Sequence, residues 1–161
     1  MTEDQIFADF AQKGIAYELL EHPAVFTVEQ SAAVHDALPA AHTKNLFLKD
    51  KRGDYWLVVL PIDRRADLRA IAAVVGAGKF SFGKPDEMAR LLGVEPGSVT
   101  PLAAVAAPSG TVQVVFDASF RSHARIAVHP LRNTATIAVD FERLIEWLSE
   151  MGVTLRVETL P

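Results

Sequence analysis

No cysteine occurs among these 161 residues. That excludes disulfides, thiolate nucleophiles and every cysteine-bearing metal site at once. Long hydrophobic runs are missing as well. A membrane helix needs roughly 20 apolar residues, and the most apolar run here, residues 102–107, stops at Pro108. The opening segment, MTEDQIFADF, is acidic and amphipathic, whereas a secretory signal starts basic and turns apolar. The expectation is a soluble, cytoplasmic protein with no membrane partner. Positive charge is scarce overall: 16 Lys and Arg against 20 Asp and Glu leave a net charge of −4, which argues against binding nucleic acid by bulk charge.

The total hides an asymmetry. Residues 1–43 hold one basic residue, Lys13, against seven acids, and residues 133–161 hold two against five. Residues 44–132 reverse the balance, with thirteen against eight. A local basic rim is therefore open to the chain, with Arg64, Arg65, Lys79, Lys84, Arg121, Arg125 and Arg132 as candidate phosphate contacts.

Half of the residues are hydrophobic, and the length suits one domain across residues 1–161. Thr2 and Gln5 form a capping box for a first helix with Ile6, Phe7 and Phe10 inward. Residues 17–20 read as a strand. Thr27 and Gln30 make a second capping box for a helix ending before Pro39. Residues 45–49 and 55–60 read as a hairpin around Lys51-Arg52-Gly53-Asp54. A helix is expected from Asp63 or Arg64 to about Val75, and another from Pro85 to Gly93. Residues 111–116, 125–128, 134–139 and 153–157 read as strands, with an amphipathic helix capped by Asp140 before the last. Helices and strands mix without regular alternation, which favours an α+β or mixed-sheet fold over a doubly wound one.

Several familiar motifs fail. Gly78-Lys79-Phe80-Ser81-Phe82-Gly83-Lys84-Pro85 matches G-x-x-x-x-G-K, but Pro85 stands where a phosphate-binding loop needs a hydroxyl for Mg²⁺. The five histidines, His22, His35, His42, His123 and His129, show no zinc-binding spacing. No G-x-S-x-G elbow occurs. Neither a metal nor a cofactor is expected.

Three features remain. Lys44 stands at the start of an apolar strand, where a lysine points into solvent or across a cleft at the sheet's end; in a cleft it offers a point charge for a phosphate or an oxyanion. Gly97, Ser98, Val99, Thr100 and Pro101 form a loop that is either a plain connection or a rigid presenter of backbone groups to a ligand. His129 ends a strand just before Pro130, a place where a histidine is more often structural than functional.

The ordered set His22-Pro23-Ala24-Val25-Phe26-Thr27-Val28-Glu29, Lys44-Asn45-Leu46-Phe47-Leu48, Gly97-Ser98-Val99-Thr100-Pro101 and His129-Pro130 resembles the YbaK/prolyl-tRNA-synthetase-associated domain family, from about Ile6 to Leu155. Lys-Asn-Leu-Phe-Leu resembles the freestanding prolyl-tRNA editing branch that removes alanine from tRNA(Pro); the branch acting on Cys-tRNA(Pro) typically has Lys-Thr there. The resemblance implies a single α+β domain with a mixed, mostly antiparallel sheet and flanking helices. It implies a trans-acting hydrolase of the aminoacyl ester, working by substrate positioning and water attack without metal or covalent intermediate. Its carried-over roles are Lys44 on the terminal-adenosine phosphate, Gly97 and Pro101 at the aminoacyl pocket and His129 on the substrate carbonyl. A small pocket lined partly by Val25, Phe26, His42 and the 97–101 loop, with Asn45 beside Lys44, is expected to admit alanine and reject proline. The implied partners are the tRNA(Pro) acceptor end and prolyl-tRNA synthetase. The alternatives are a deacylase for Cys-tRNA(Pro) or other small aminoacyl-tRNAs, and a catalytically silent tRNA- or nucleotide-binding module.

Overall fold

Two apolar clusters lie against opposite faces of one mixed sheet. The computed structural model describes residues 1–24 and 28–161. In chain order the elements are α1 (Glu3–Gln12), β1 (Tyr17–Glu21), α2 (Val28–Ala37), β2 (Ala41–Asp50), β3 (Tyr55–Pro61), α3 (Leu68–Val75), β4 (Phe80–Phe82), α4 (Pro85–Leu92), β5 (Val112–Asp117), β6 (Arg125–Val128), β7 (Ala135–Asp140), α5 (Phe141–Glu150) and β8 (Thr154–Glu158). The strand order is β1-β7-β6-β2-β3-β5-β8, and β4 pairs with β2 off that path. Four pairings are antiparallel and three parallel. The expected α+β architecture with a mixed sheet is what the chain adopts.

The helices form where their caps put them. Thr2 Oγ1 accepts the Gln5 N–H at 3.2 Å while Gln5 Oε1 accepts the Thr2 N–H at 2.8 Å, closing the α1 capping box. Ile6 and Phe10 turn inward, and Phe10 meets the buried ring of Trp147 from α5 edge-on at 4.9 Å. With Met88, Leu91 and Leu92 of α4 they cover one sheet face. Ile71, Ala72 and Val75 of α3 pack on Leu48, Trp56, Val58 and Leu60 on the other.

Three expectations are corrected. The third helix begins at Leu68, not Asp63 or Arg64, because Asp67 supplies the capping oxygen that accepts the Ala70 N–H at 3.1 Å. Residues 80–82, inside the failed phosphate-loop motif, form an edge strand opposite residues 48–50. Gly83 then passes so close to the Phe47 ring that a Cβ would sit 2.3 Å from it, so only glycine fits. Finally, β2 runs from Ala41, so Lys44 lies inside the strand and not at its start. The capping box at Thr27 falls outside the described residues.

Candidate active site

β2 changes partners along its length. Residues Ala41 and His42 pair in parallel with Ile126 and Ala127 of β6, whereas Leu48, Lys49 and Asp50 pair with β4. Between them, Lys44, Asn45 and Leu46 have a strand neighbour on the β3 side only. This break leaves a cavity of about 270 Å³ beside Lys44, walled by α2, β2, β6, β7 and the loop at Gly97 and Val99.

Side chains of a strand alternate between faces. Phe47 belongs to the cluster under α1, α4 and α5, and Leu48 to the one under α3. Thr43 and Asn45 therefore follow Phe47, while His42, Lys44 and Leu46 follow Leu48. His42 stands opposite Ala127 in the parallel pair, so His129, two residues on, shares the face of Lys44. The cavity is lined by residues of both faces.

Lys44 forms no ion pair among the described residues. Its charge faces a half-buried site with no carboxylate to neutralise it. The two nearby histidines are held neutral. Burial pushes the His129 pKa below its ordinary value, and the nearby His22 ring adds to this, against the opposing hydrogen bond to Ala135. His129 Nδ1 lies 2.9 Å from the Ala135 carbonyl oxygen; a carbonyl only accepts, so Nδ1 carries the proton and Nε2 keeps its lone pair. His42 is likewise lowered, first by burial. Its Nε2 donates to the Leu38 carbonyl at 2.7 Å, and its ring stands 4.2 Å from that of His35.

Asn45 is oriented by a short relay. The Thr43 hydroxyl donates to the Ala127 carbonyl at 2.8 Å. Thr43 Oγ1 then accepts from Asn45 Nδ2 at 3.2 Å, which turns Asn45 Oδ1 the other way, buried and with no hydrogen-bond partner. Leaving a buried acceptor unpaired costs about 1–3 kcal/mol. Such a group at the wall of a cavity suits a donor on a bound ligand.

The 97–101 loop divides by role. Gly97, at φ +91°, and Val99 line the cavity. Ser98, Thr100 and Pro101 are buried behind it and are not cavity-lining. Thr100 Oγ1 accepts the Leu102 N–H at 3.4 Å at the start of a short 3₁₀ turn opened by Pro101. Val25 and Phe26 lie outside the described residues.

Sequence reasoning missed the α2 wall, Val34 and His35, and also Ile62 and Thr136. His22 Nδ1 donates to the Pro23 carbonyl at 2.8 Å, and its Nε2 is hydrogen-bonded to Thr136 Oγ1 at 2.8 Å. His22 therefore braces the cavity wall. The His-Pro pairs at 22–23 and 129–130 were the available signal: each places a histidine at a strand end on the same side of the sheet, with ring centres 6.4 Å apart.

The site sets an unpaired cation, two imidazoles of lowered pKa and an unsatisfied amide oxygen around a small cavity. The chain belongs to the aminoacyl-tRNA editing domain family, which it matches over residues 22–146; these are hydrolases of the bond between amino acid and tRNA. It is 31% identical over 156 residues to the prolyl-tRNA editing protein ProX of Acetoanaerobium sticklandii, covering 96% of this chain and 95% of that one. It is 38% identical over 147 residues to the prolyl-tRNA synthetase associated domain-containing protein 1 of Bos taurus, covering 88% and 85%. A crystal structure described provisionally as a trans-editing enzyme for prolyl tRNA synthetase shares the fold, with TM-score 0.69, 18% identity and 96% and 94% coverage.

Proposed function

We propose that this protein is a trans-acting deacylase that hydrolyses mischarged Ala-tRNA(Pro) in the cytoplasm, alone or beside prolyl-tRNA synthetase. The observation that carries the reading is the break in β2, which sets an unpaired Lys44 on the same sheet face as a neutral His129. Lys44 binds the phosphate of the terminal adenosine and draws the ester into the break. Gly97 and Val99 close over the aminoacyl group, and Asn45 Oδ1 accepts from it.

The histidine tautomer sets how His129 acts beside the substrate carbonyl that the resemblance gives it to place. With its proton on Nδ1, it presents Nε2 as an acceptor. Nε2 accepts from the attacking water or from a ribose hydroxyl that orients that water. The ester is already activated, so positioning supplies much of the catalysis: it is worth roughly 7–11 kcal/mol where the geometry is good. Selectivity is steric. A cavity of about 270 Å³ shared with part of the ribose leaves room for a methyl side chain and little for a pyrrolidine ring. Glycine is not excluded by size.

The test is a panel of tRNA(Pro) charged with alanine, glycine, cysteine or proline, assayed for deacylation between pH 5 and 8. The reading expects alanine and glycine to be released, proline to be spared, and the acid limb to fall below pH 6.5, since His129 works as the neutral base. Release of cysteine in preference to alanine moves the enzyme to the other substrate branch. Absence of turnover on every ester makes it a silent binding module.

A further inference from the structure

Among the described residues the most exposed large apolar side chain is Phe82 of β4, at 63%, where the next, Val74, reaches 45%. It stands opposite Leu48 in the antiparallel pair, so its ring projects on the face that carries Lys44 and His129. Four residues along β2 and one strand across put Phe82 about 14 Å from Lys44. Arg69 and Lys79 flank the same edge, on a groove between α3 and the segment leading into β4. Arg65, Lys79 and Lys84 are exposed and enter no ion pair among the described residues.

We propose that Phe82 is a stacking platform for an unpaired base of the RNA 3′ end, reached a few nucleotides before the ester, with the surrounding cations holding its phosphates. This rests on the deacylase reading for the position of the ester. An exposed aromatic ring among cations is how single-stranded nucleic acid is held without sequence reading. The spacing fits as well: stacked nucleotides rise about 3.4 Å each, so about 14 Å spans a few of them. Charge separates this occupant from an apolar protein partner, because exposed and unpaired Lys79 and Lys84 lie within three residues of the ring along the chain, and such a partner would have to desolvate them.

The experiment measures binding of an unacylated single-stranded oligoribonucleotide ending in CCA, by fluorescence anisotropy, beside deacylation by the same preparations. Phe82→Ala should weaken binding about 5- to 150-fold, in line with about 1–3 kcal/mol per stacked base. Phe82→Trp should bind at least as well as the wild type. Leu19→Ala, which removes another exposed apolar side chain on β1, should bind as wild type does. Unchanged binding in Phe82→Ala, or equal loss in Leu19→Ala, overturns the proposal, as does a change in oligomeric state on removing the ring. Loss of binding in Phe82→Ala from a wild type that deacylates nothing leaves the platform standing and sinks the deacylase reading instead.

Discussion

Two sets of cations divide this molecule. Arg121, Arg125 and Arg132 sit late in the basic section, and each is answered by an acid: Arg121 by Glu142 at 3.5 Å, Arg125 by Glu18 at 2.8 Å, and Arg132 by Glu3 and Glu21 at 3.0 Å each. Arg64 is answered by Asp117 at 2.8 Å. Lys44, Arg65, Lys79 and Lys84 have no such partner among the described residues. Four of the seven candidate phosphate contacts named from sequence are thus committed to acids of the fold itself. A basic stretch of sequence is therefore not a basic surface. The acidic first and last sections are close to the first set of cations in space and consume their charge. What remains lies at the cavity in Lys44, at the β4 edge in Lys79 and Lys84, and on the approach to α3 in Arg65.

The two sets should differ most at Lys44. Lys44→Ala should lower kcat/KM for Ala-tRNA(Pro) by about 100- to 1000-fold, the size of losing one preorganised charge donor. The melting temperature should hold, since the side chain has no ion pair to lose. Lys44→Arg keeps the charge but not the point geometry and should recover only part of the rate. Full turnover in Lys44→Ala would sink the role given to this residue.

The paired set predicts the reverse pattern. Asp117 is 2% exposed. Its Oδ1 accepts from Arg64 at 2.8 Å and from the Leu160 N–H at 3.0 Å, and its Oδ2 from the Ser119 N–H at 3.1 Å. Burial alone would raise this carboxyl's pKa, but these donors and the Ser119 hydroxyl outweigh it and hold the pKa below its ordinary value. Breaking a buried pair costs roughly 3–5 kcal/mol, and the partial exposure of Arg64 discounts that. Asp117→Ala should therefore destabilise by about 2–4 kcal/mol in a denaturant titration. Deacylation by the folded fraction should stay as it is. The stability lost is of the kind present above the unfolded carboxylate pKa and removed as pH falls through the lowered folded one. The gap between wild type and variant should therefore close on acidification below about pH 4, and a gap that widened there would contradict the assignment.

Local signals were legible where local chemistry decides. The Thr2–Gln5 box, the Lys51–Asp54 turn and the Asp140 cap are read within a few residues of sequence, and the structure places them so. The start of α3 was misplaced because Asp63 and Asp67 are both good caps, and only packing of Ile71, Ala72 and Val75 on the sheet selects the second. The strand at residues 80–82 was hidden because three residues show no periodicity, and its pairing with β2 is non-local. Lys44, Asn45, Gly97 and His129 could be named from an ordered resemblance. Their common face, the tautomer of His129 and the orphaned Asn45 oxygen depend on which strands β2 pairs with, and pairing between residues 41–42 and 126–127 leaves no local mark.

Charge reversal at the surface should give the smallest effect, and it tests the two cation sets side by side. Lys79→Glu with Lys84→Glu removes two unpaired charges from the β4 edge. It should lower kcat/KM about tenfold at low salt. It should also flatten the dependence of log KM on log salt by about 1.4, at about 0.7 for each single-strand phosphate no longer neutralised. Arg121→Glu reverses one charge that is already answered by Glu142, with both side chains more than half exposed. An exposed pair of this kind is worth about 0–1 kcal/mol, so stability should move little and the salt slope not at all. If Arg121→Glu flattened the slope as much as the double reversal, RNA would be reading total charge. The unpaired cations at the β4 edge would then have no special standing.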